Sequence, residues 1–209
     1  MSLEKLFEMQ KVLDERIIKE KGLGGQDLTL NTVTALIVEL GEFANEGRWF
    51  KHWSNDQEAR TKSICEDCGG DGVTGLYDDV DCFCENTTNP LLEEYVDCLH
   101  FFLSLANKKG WQDLMYIHED AIWEVEEEGF DGGLSGAFVE MVYHLTNAFI
   151  KKDNGEDIAG MTFTQFSFRS AWFIFIAIGI VGFKFTLEQI EQAYIVKNEI
   201  NHQRQENGY

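Results

Sequence analysis

Glu39-Leu40-Gly41-Glu42 and Glu94-Tyr95-Val96-Asp97 each set two carboxylates three residues apart. On a helix such residues stand one above the other on a single face. Two such segments packed together make a cage of four carboxylates. Hard divalent cations such as magnesium take oxygen ligands in about that number and keep waters elsewhere, which leaves room for phosphate oxygens. The chemistry implied is phosphate chemistry. Acid pairs this close repel unless a cation or a proton intervenes, and few basic residues at helical spacing neutralise them. Either segment alone reads better as a solvated helix border; the two together favour a metal.

A second set of ligand types lies between them. Within the polar, Gly-rich stretch 55–89, Cys65 and Cys68 form a C-x-x-C and Cys82 and Cys84 a C-x-C. Two close thiol pairs across a loop match a tetrahedral zinc site, with Gly69, Gly70 and Gly72 easing the knuckle turn. The CEDCGGDG run also resembles the C-x-x-C-x-G-x-G unit of zinc-binding chaperone domains. Disulfides are the competing reading, and a cytoplasmic compartment would keep them reduced. Without metal or bridges so polar a segment has little apolar surface to offset its ordering entropy. Cys98, on the core face of its helix, reads as a plain buried thiol.

The elements that must position these groups are helical. One proline in 209 residues and little period-two alternation predict an all-α multi-helix bundle, one domain over 1–209 with the Cys-rich insertion 55–89 inside it. A first helix is expected from Leu3 to about Lys21, ending at Gly22–Gly25. Gln10 shares its apolar face with Leu6, Leu13 and Ile17, either as a hydrogen-bonded core amide or as a reader of a ligand's polar edge. In the second helix Val33, Leu36, Ile37, Leu40, Phe43 and Ala44 form the core stripe and Glu39 and Glu42 its border. It leads into Arg48-Trp49-Phe50-Lys51-His52-Trp53-Ser54, which mixes rings and cations as a site for a base and phosphates would.

The third helix, Leu91 to Ala106, sets Glu94, Asp97 and Phe101 on its border. Further helices are expected over Gly110–Glu128, Ala137–Lys152 and Thr164–Phe183, with FDGGLSG as a loop. The last, Leu187 to about Gln205, opens on a Thr186/Gln189 capping box. Its apolar face, Ile190, Ala193 and Tyr194, continues as Lys197, Asn201 and Arg204. Those three can project over the acids and hold a triphosphate, whereas a basic helix end balancing the dipole explains Arg204 alone.

A formal net charge of −20 excludes a scaffold held by nucleic-acid phosphates. It permits a nucleotide enzyme that brings its own magnesium. Ala171–Phe183, the longest apolar run, is expected to be a buried core helix too short to cross a bilayer. The N-terminus lacks a secretory pattern, so a cytoplasmic location is expected.

On LEKLFEMQKVLDERI, VELGEFANEGRWFKHWS, LEEYVDCLHFFLSL and AYIVKNEINHQRQENGY, the chain resembles the dimeric all-α dUTPases, in the superfamily of the MazG-type nucleoside triphosphate pyrophosphohydrolases. Gly110–Phe183 matches only as helical pattern. The resemblance implies magnesium-dependent hydrolysis of dUTP to dUMP and pyrophosphate by a homodimer, with dUDP as a further candidate substrate. It implies that Glu39, Glu42, Glu94 and Asp97 hold two or more magnesium ions, and that Glu39 or Glu42 orients or deprotonates the attacking water. Gln10 would sit near the pyrimidine, Phe101 would stack on it, and Lys51, Trp53, Lys197, Asn201 and Arg204 would complete the pocket. The alternatives are a MazG-like hydrolase of another nucleotide and a non-catalytic module that binds a regulatory protein through the zinc insertion. The long connection between the two acidic segments departs from the family pattern.

Overall fold

The computed structural model describes residues 2–62, 73–74, 80–81, 89–153 and 155–208. Cys65, Cys68, Cys82 and Cys84 lie outside the described residues, so the zinc expectation falls where the structure gives no account. Seven α-helices are described: α1 (Leu3–Glu20), α2 (Thr29–Gly47), α3 (Pro90–Lys109), α4 (Glu119–Glu128), α5 (Gly133–Ile150), α6 (Phe163–Ala177) and α7 (Leu187–Glu206). The all-α expectation holds. Two short antiparallel pairings accompany them, β1 (Val73–Thr74) with β2 (Val80–Asp81) and β3 (Asp157–Ile158) with β4 (Met161–Thr162).

The central helix is α3. Leu91, Tyr95, Val96, Leu99, Phe102, Leu103, Leu105 and Ala106 are buried along its length. Its start is fixed by the Asn89 side chain, which accepts a hydrogen bond from Leu92 N at 3.1 Å, and by Pro90 in the first turn. It stops at Gly110, whose φ of 66° is the left-handed cap that only glycine adopts without strain. Helices α1, α2 and α7 pack around α3, and the α5–α6 pair closes the far side. Tyr95, stacked on Phe175 at 4.2 Å, and Phe102 against Phe168, Trp172 and Phe175 join α3 to α6. Phe43 bridges α2 to Tyr95, Trp49 and Phe183.

The structure departs from the expected helices at four places. Gly110–Glu128 is not one helix: a 3-10 turn, Gln112–Met115, precedes an extended link, and α4 begins only at Glu119. Side chains of α6 take the carbonyls that a helix would use. Arg169 donates to Leu114 O at 2.8 Å and Tyr116 O at 3.0 Å, and Trp172 Nε1 to Met115 O at 2.7 Å. Second, α5 starts at Gly133, inside the expected FDGGLSG loop, and Gly136 in its first turn lies so close to Asp131 O that a Cβ there would clash. Third, α6 ends at Ala177 and passes into a π-helical turn, Ile178–Gly182, at the point where Gly179 packs on the Tyr95 ring. Fourth, the helical run Phe163–Gly182, 20 residues at mean hydropathy 1.4, is by length and composition enough to cross a membrane, contrary to expectation. Half of it is buried inside the fold, where Phe168, Ala171, Trp172 and Phe175 are core.

Candidate active site

Leu36, Leu40 and Phe43 bury one side of α2 against α3, which turns the border carrying Glu39 and Glu42 along that of Glu94 and Asp97. Oxygens of Glu39, Glu94 and Asp97 all lie within 4.8 Å of one another. Glu42 stands one helical turn beyond Glu39, exposed, and close enough to press electrostatically on both Glu39 and Glu94. From α7, the Lys197 ammonium reaches Asp97 Oδ2 at 2.6 Å.

The charges in this cluster are frustrated. Burial, then Asp97, Glu42 and Glu39, push the Glu94 carboxyl up to about 7. Burial, Asp97 and Glu42 likewise raise Glu39. Asp97 is raised by burial although Lys197 and Arg204 pull it the other way. Three half-buried carboxylates with one ammonium between them form a donor set short of positive charge. Oxygen-only ligands at this spacing fit a hard divalent cation, and Lys197, against Asp97, supplies part of the missing charge.

Beside the cluster, a groove of about 850 Å³ runs between α3 and α7, lined in part by Val96, Ala193, Lys197 and Arg204. Another concavity, about 570 Å³ between α4, α5 and α6, shares no residue with the acid cluster. Asn201 accepts a hydrogen bond from Arg204 Nη1 at 3.3 Å. Phe101 is half-buried against the core, one turn beyond Asp97. Lys51 and Trp53 sit on the link after α2, where Lys51 Nζ approaches Asn45 O at 3.4 Å and Trp53 is 68% exposed. That link is anchored by buried Arg48, whose guanidinium bonds Asp56 O at 2.6 and 3.1 Å and pairs with its carboxylate.

A family model described as dUTPase matches residues 2–69 and 83–209, so both acidic segments fall inside the match. The chain belongs to the all-α dimeric dUTPase family. Its activity is that of a dUTP diphosphatase, the hydrolysis of dUTP. The match leaves out 70–82, inside the Cys-rich stretch. No curated protein matches the chain.

Of the two readings open for Gln10, the structure of this dUTPase shows the hydrogen-bonded core amide. Gln10 is 3% exposed; Nε2 donates to Asp14 Oδ1 at 2.8 Å, and Oε1 lies 2.9 Å from the Tyr194 hydroxyl and 2.7 Å from His100 Nδ1. Burial first, and the Lys197 charge second, hold His100 neutral, its pKa down to about 3.

Two side chains beside the acids escaped the sequence reading. His100 Nε2 is buried with no hydrogen-bond partner among the described residues, and so is Asn198 Nδ2, whose amide borders the Tyr194 phenol without a well-formed bond. The buried face of α7 runs Ile190, Tyr194, Asn198, not Ile190 to Lys197 and Asn201. An i, i+4, i+8 spacing marked that face in the sequence. The lone His three residues after Asp97 was the corresponding signal on α3.

Proposed function

We propose that the chain hydrolyses the α–β anhydride of dUTP, giving dUMP and pyrophosphate, in a magnesium-dependent reaction at the α2–α3 acid cluster. The convergence of Glu39, Glu94 and Asp97 oxygens within 4.8 Å carries this reading. Those three residues would hold magnesium, and Glu42, exposed beside them, extends the set toward a second ion. Bound there, magnesium neutralises the anhydride oxygens and lowers the pKa of water.

The chain's own residues do the rest. Glu42, or Glu39, takes the proton of the attacking water, whose oxygen ends on one phosphorus as the bridging oxygen leaves with the other. Lys197, already against Asp97, and Arg204, held to Asn201, face the phosphates that enter beside them. Phe101, half-buried on the same helix border, packs against the nucleoside, and Lys51 and Trp53 close the pocket from the Arg48-anchored link. Gln10 lies beneath the base, with its amide committed to the fold. The protein acts as a cytoplasmic homodimer, with dUDP as a second substrate. Structural zinc on Cys65, Cys68, Cys82 and Cys84 belongs to the same reading on cysteine spacing alone; metal analysis of the purified protein tests it.

Pyrophosphate release from dUTP, dCTP, dATP, dGTP and dTTP, each with and without magnesium, tests the function. Turnover of dUTP that chelator abolishes is expected. Turnover of another nucleotide in its place would make the protein a MazG-like hydrolase. Glu42→Gln is expected to cut the rate by about 10²-fold or more with an unchanged circular dichroism spectrum. Full activity in that variant removes Glu42 from the chemistry.

A further inference from the structure

A chain of buried polar contacts runs inward from Lys108 at the surface to His100 beside the acid cluster. We propose that Asp14, acting through the Gln10 amide, fixes His100 as its Nδ1–H tautomer, so that Nε2 offers a lone pair to the substrate base and selects uracil over cytosine. The selectivity rests on the dUTP reading above; the tautomer does not.

The direction of the relay follows from which atoms can only accept. Asp14 Oδ2 receives the Ser104 hydroxyl at 2.6 Å and the Lys108 ammonium at 3.2 Å. Asp14 Oδ1 lies 2.8 Å from one end of the Gln10 amide. That end must be the nitrogen, since an amide turned round would set two oxygens at 2.8 Å with no proton between them. Gln10 Oε1 therefore faces the other way, toward Tyr194 and His100. An amide oxygen only accepts, so His100 Nδ1, 2.7 Å from it, must carry the proton. A neutral imidazole has one N–H, which leaves Nε2 as an acceptor.

That acceptor has no partner among the described residues, and His100 is 5% exposed. A buried polar atom without a partner costs free energy that a ligand can recover. Asn198 Nδ2, on a residue 4% exposed and with only a loose approach to the Tyr194 hydroxyl, is a donor. Both residues border Tyr194: His100 stacks on its ring at 4.2 Å, and the Asn198 amide lies beside its phenol. An acceptor and a donor together fit an N–H flanked by a carbonyl, which is the N3–H and adjacent oxygen of uracil. Cytosine offers the opposite, a lone pair at N3 and an amino group beside it. Both contacts would then be mismatched, and mismatched buried polar pairs are rejected far more strongly than a missing methyl. The placement suits the phosphate end, because Asp97 precedes His100 by three residues and Lys197 adjoins Asn198.

The test uses the full chain labelled with ¹⁵N-histidine. His100 is assigned among the five histidines by its loss in His100→Gln, and two-bond ¹H–¹⁵N correlation reads its tautomer. Nδ1–H is expected in the wild type. In Asp14→Asn the new amide donates to Gln10 Oε1 and turns it, so His100 is expected to become Nε2–H. The ratio of kcat/KM for dUTP over dCTP is then expected to fall by about tenfold or more, whereas mere loss of folding lowers both alike. Lys108→Gln keeps the Asp14–Gln10 bond and is expected to leave tautomer and ratio as they are. If Asp14→Asn does not fold, Gln10→Met removes the relay and is expected to lower the same ratio. An Nε2–H or doubly protonated His100 in the wild type overturns the proposal without any variant. A switched tautomer with an unchanged ratio overturns the selectivity. Nδ1–H in a wild-type protein that ignores dUTP overturns the dUTP reading and the selectivity with it, while leaving the tautomer relay standing.

Discussion

Glu94 shows how the cluster couples protons to cations. Burial first, and three neighbouring carboxyls with it, push its carboxyl up to about 7 from an ordinary 4.5. The folded chain therefore holds a proton over a range in which the unfolded chain has released it. That proton's contribution to stability is full below about 4.5 and is lost as pH rises through about 7. In chelator, the denaturation midpoint should fall between pH 5 and pH 8, and Glu94→Gln should flatten that part of the curve. A divalent cation held by these acids would compete with the same proton, so magnesium affinity should climb over the interval and level off above about pH 7. Calorimetry in two buffers of different ionisation heat should detect proton release at pH 6 and little at pH 8.5. A flat stability profile in the wild type would mean that the four carboxyls do not share a field. The acids were legible in the sequence because i, i+3 spacing is local. The Gln10–His100–Tyr194 contacts were not, because they join residues 90 and 184 positions apart.

At the scale of elements, the helices that an apolar stripe specifies were legible, and the breaks between them were not. Caps are local: Thr186 accepts from Gln189 N, and the Gln189 side chain returns the bond, as the sequence signature implied. The 3-10 turn before α4 is written by Arg169 and Trp172, more than fifty residues downstream, capturing carbonyls at 114–116. The π-helical turn after α6 is a similar case. Gly179 sits where a Cβ would come 2.5 Å from the Tyr95 ring, and Tyr95 is fully buried against Phe175. The ring has nowhere to retreat, so Gly179→Ala should cost about 1–3 kcal/mol, measured by urea denaturation. Tyr95 is flanked in sequence by Glu94 and Val96 and lies two residues before Asp97, so a ring pushed along α3 should also weaken magnesium binding. An unchanged denaturation midpoint would show that the backbone relaxes freely at this turn.

Across the whole molecule, the connection between α2 and α3 is closed at Arg60, before the first cysteine of the 55–89 stretch. Arg60 N bonds Glu46 O at 2.9 Å near the end of α2, and Leu91 N bonds Arg60 O at 3.1 Å in the first turn of α3. The chain thus returns to within one hydrogen bond of where it left the bundle. These bonds and helix packing bring Glu39 and Glu42 beside Glu94 and Asp97. The family match spans both acidic segments and leaves out 70–82 of the stretch that joins them. Closing a loop costs free energy that grows only slowly with its length, so a long excursion at this point is tolerated, and so is its removal. Replacing 63–88 with a short Gly/Ser linker should preserve helical content and magnesium-dependent dUTP turnover and should eliminate zinc from the purified protein. Loss of turnover with helicity and magnesium binding intact would place the insertion over the substrate. Loss of helicity would show that the two bonds at Arg60 do not hold the acidic helices together on their own.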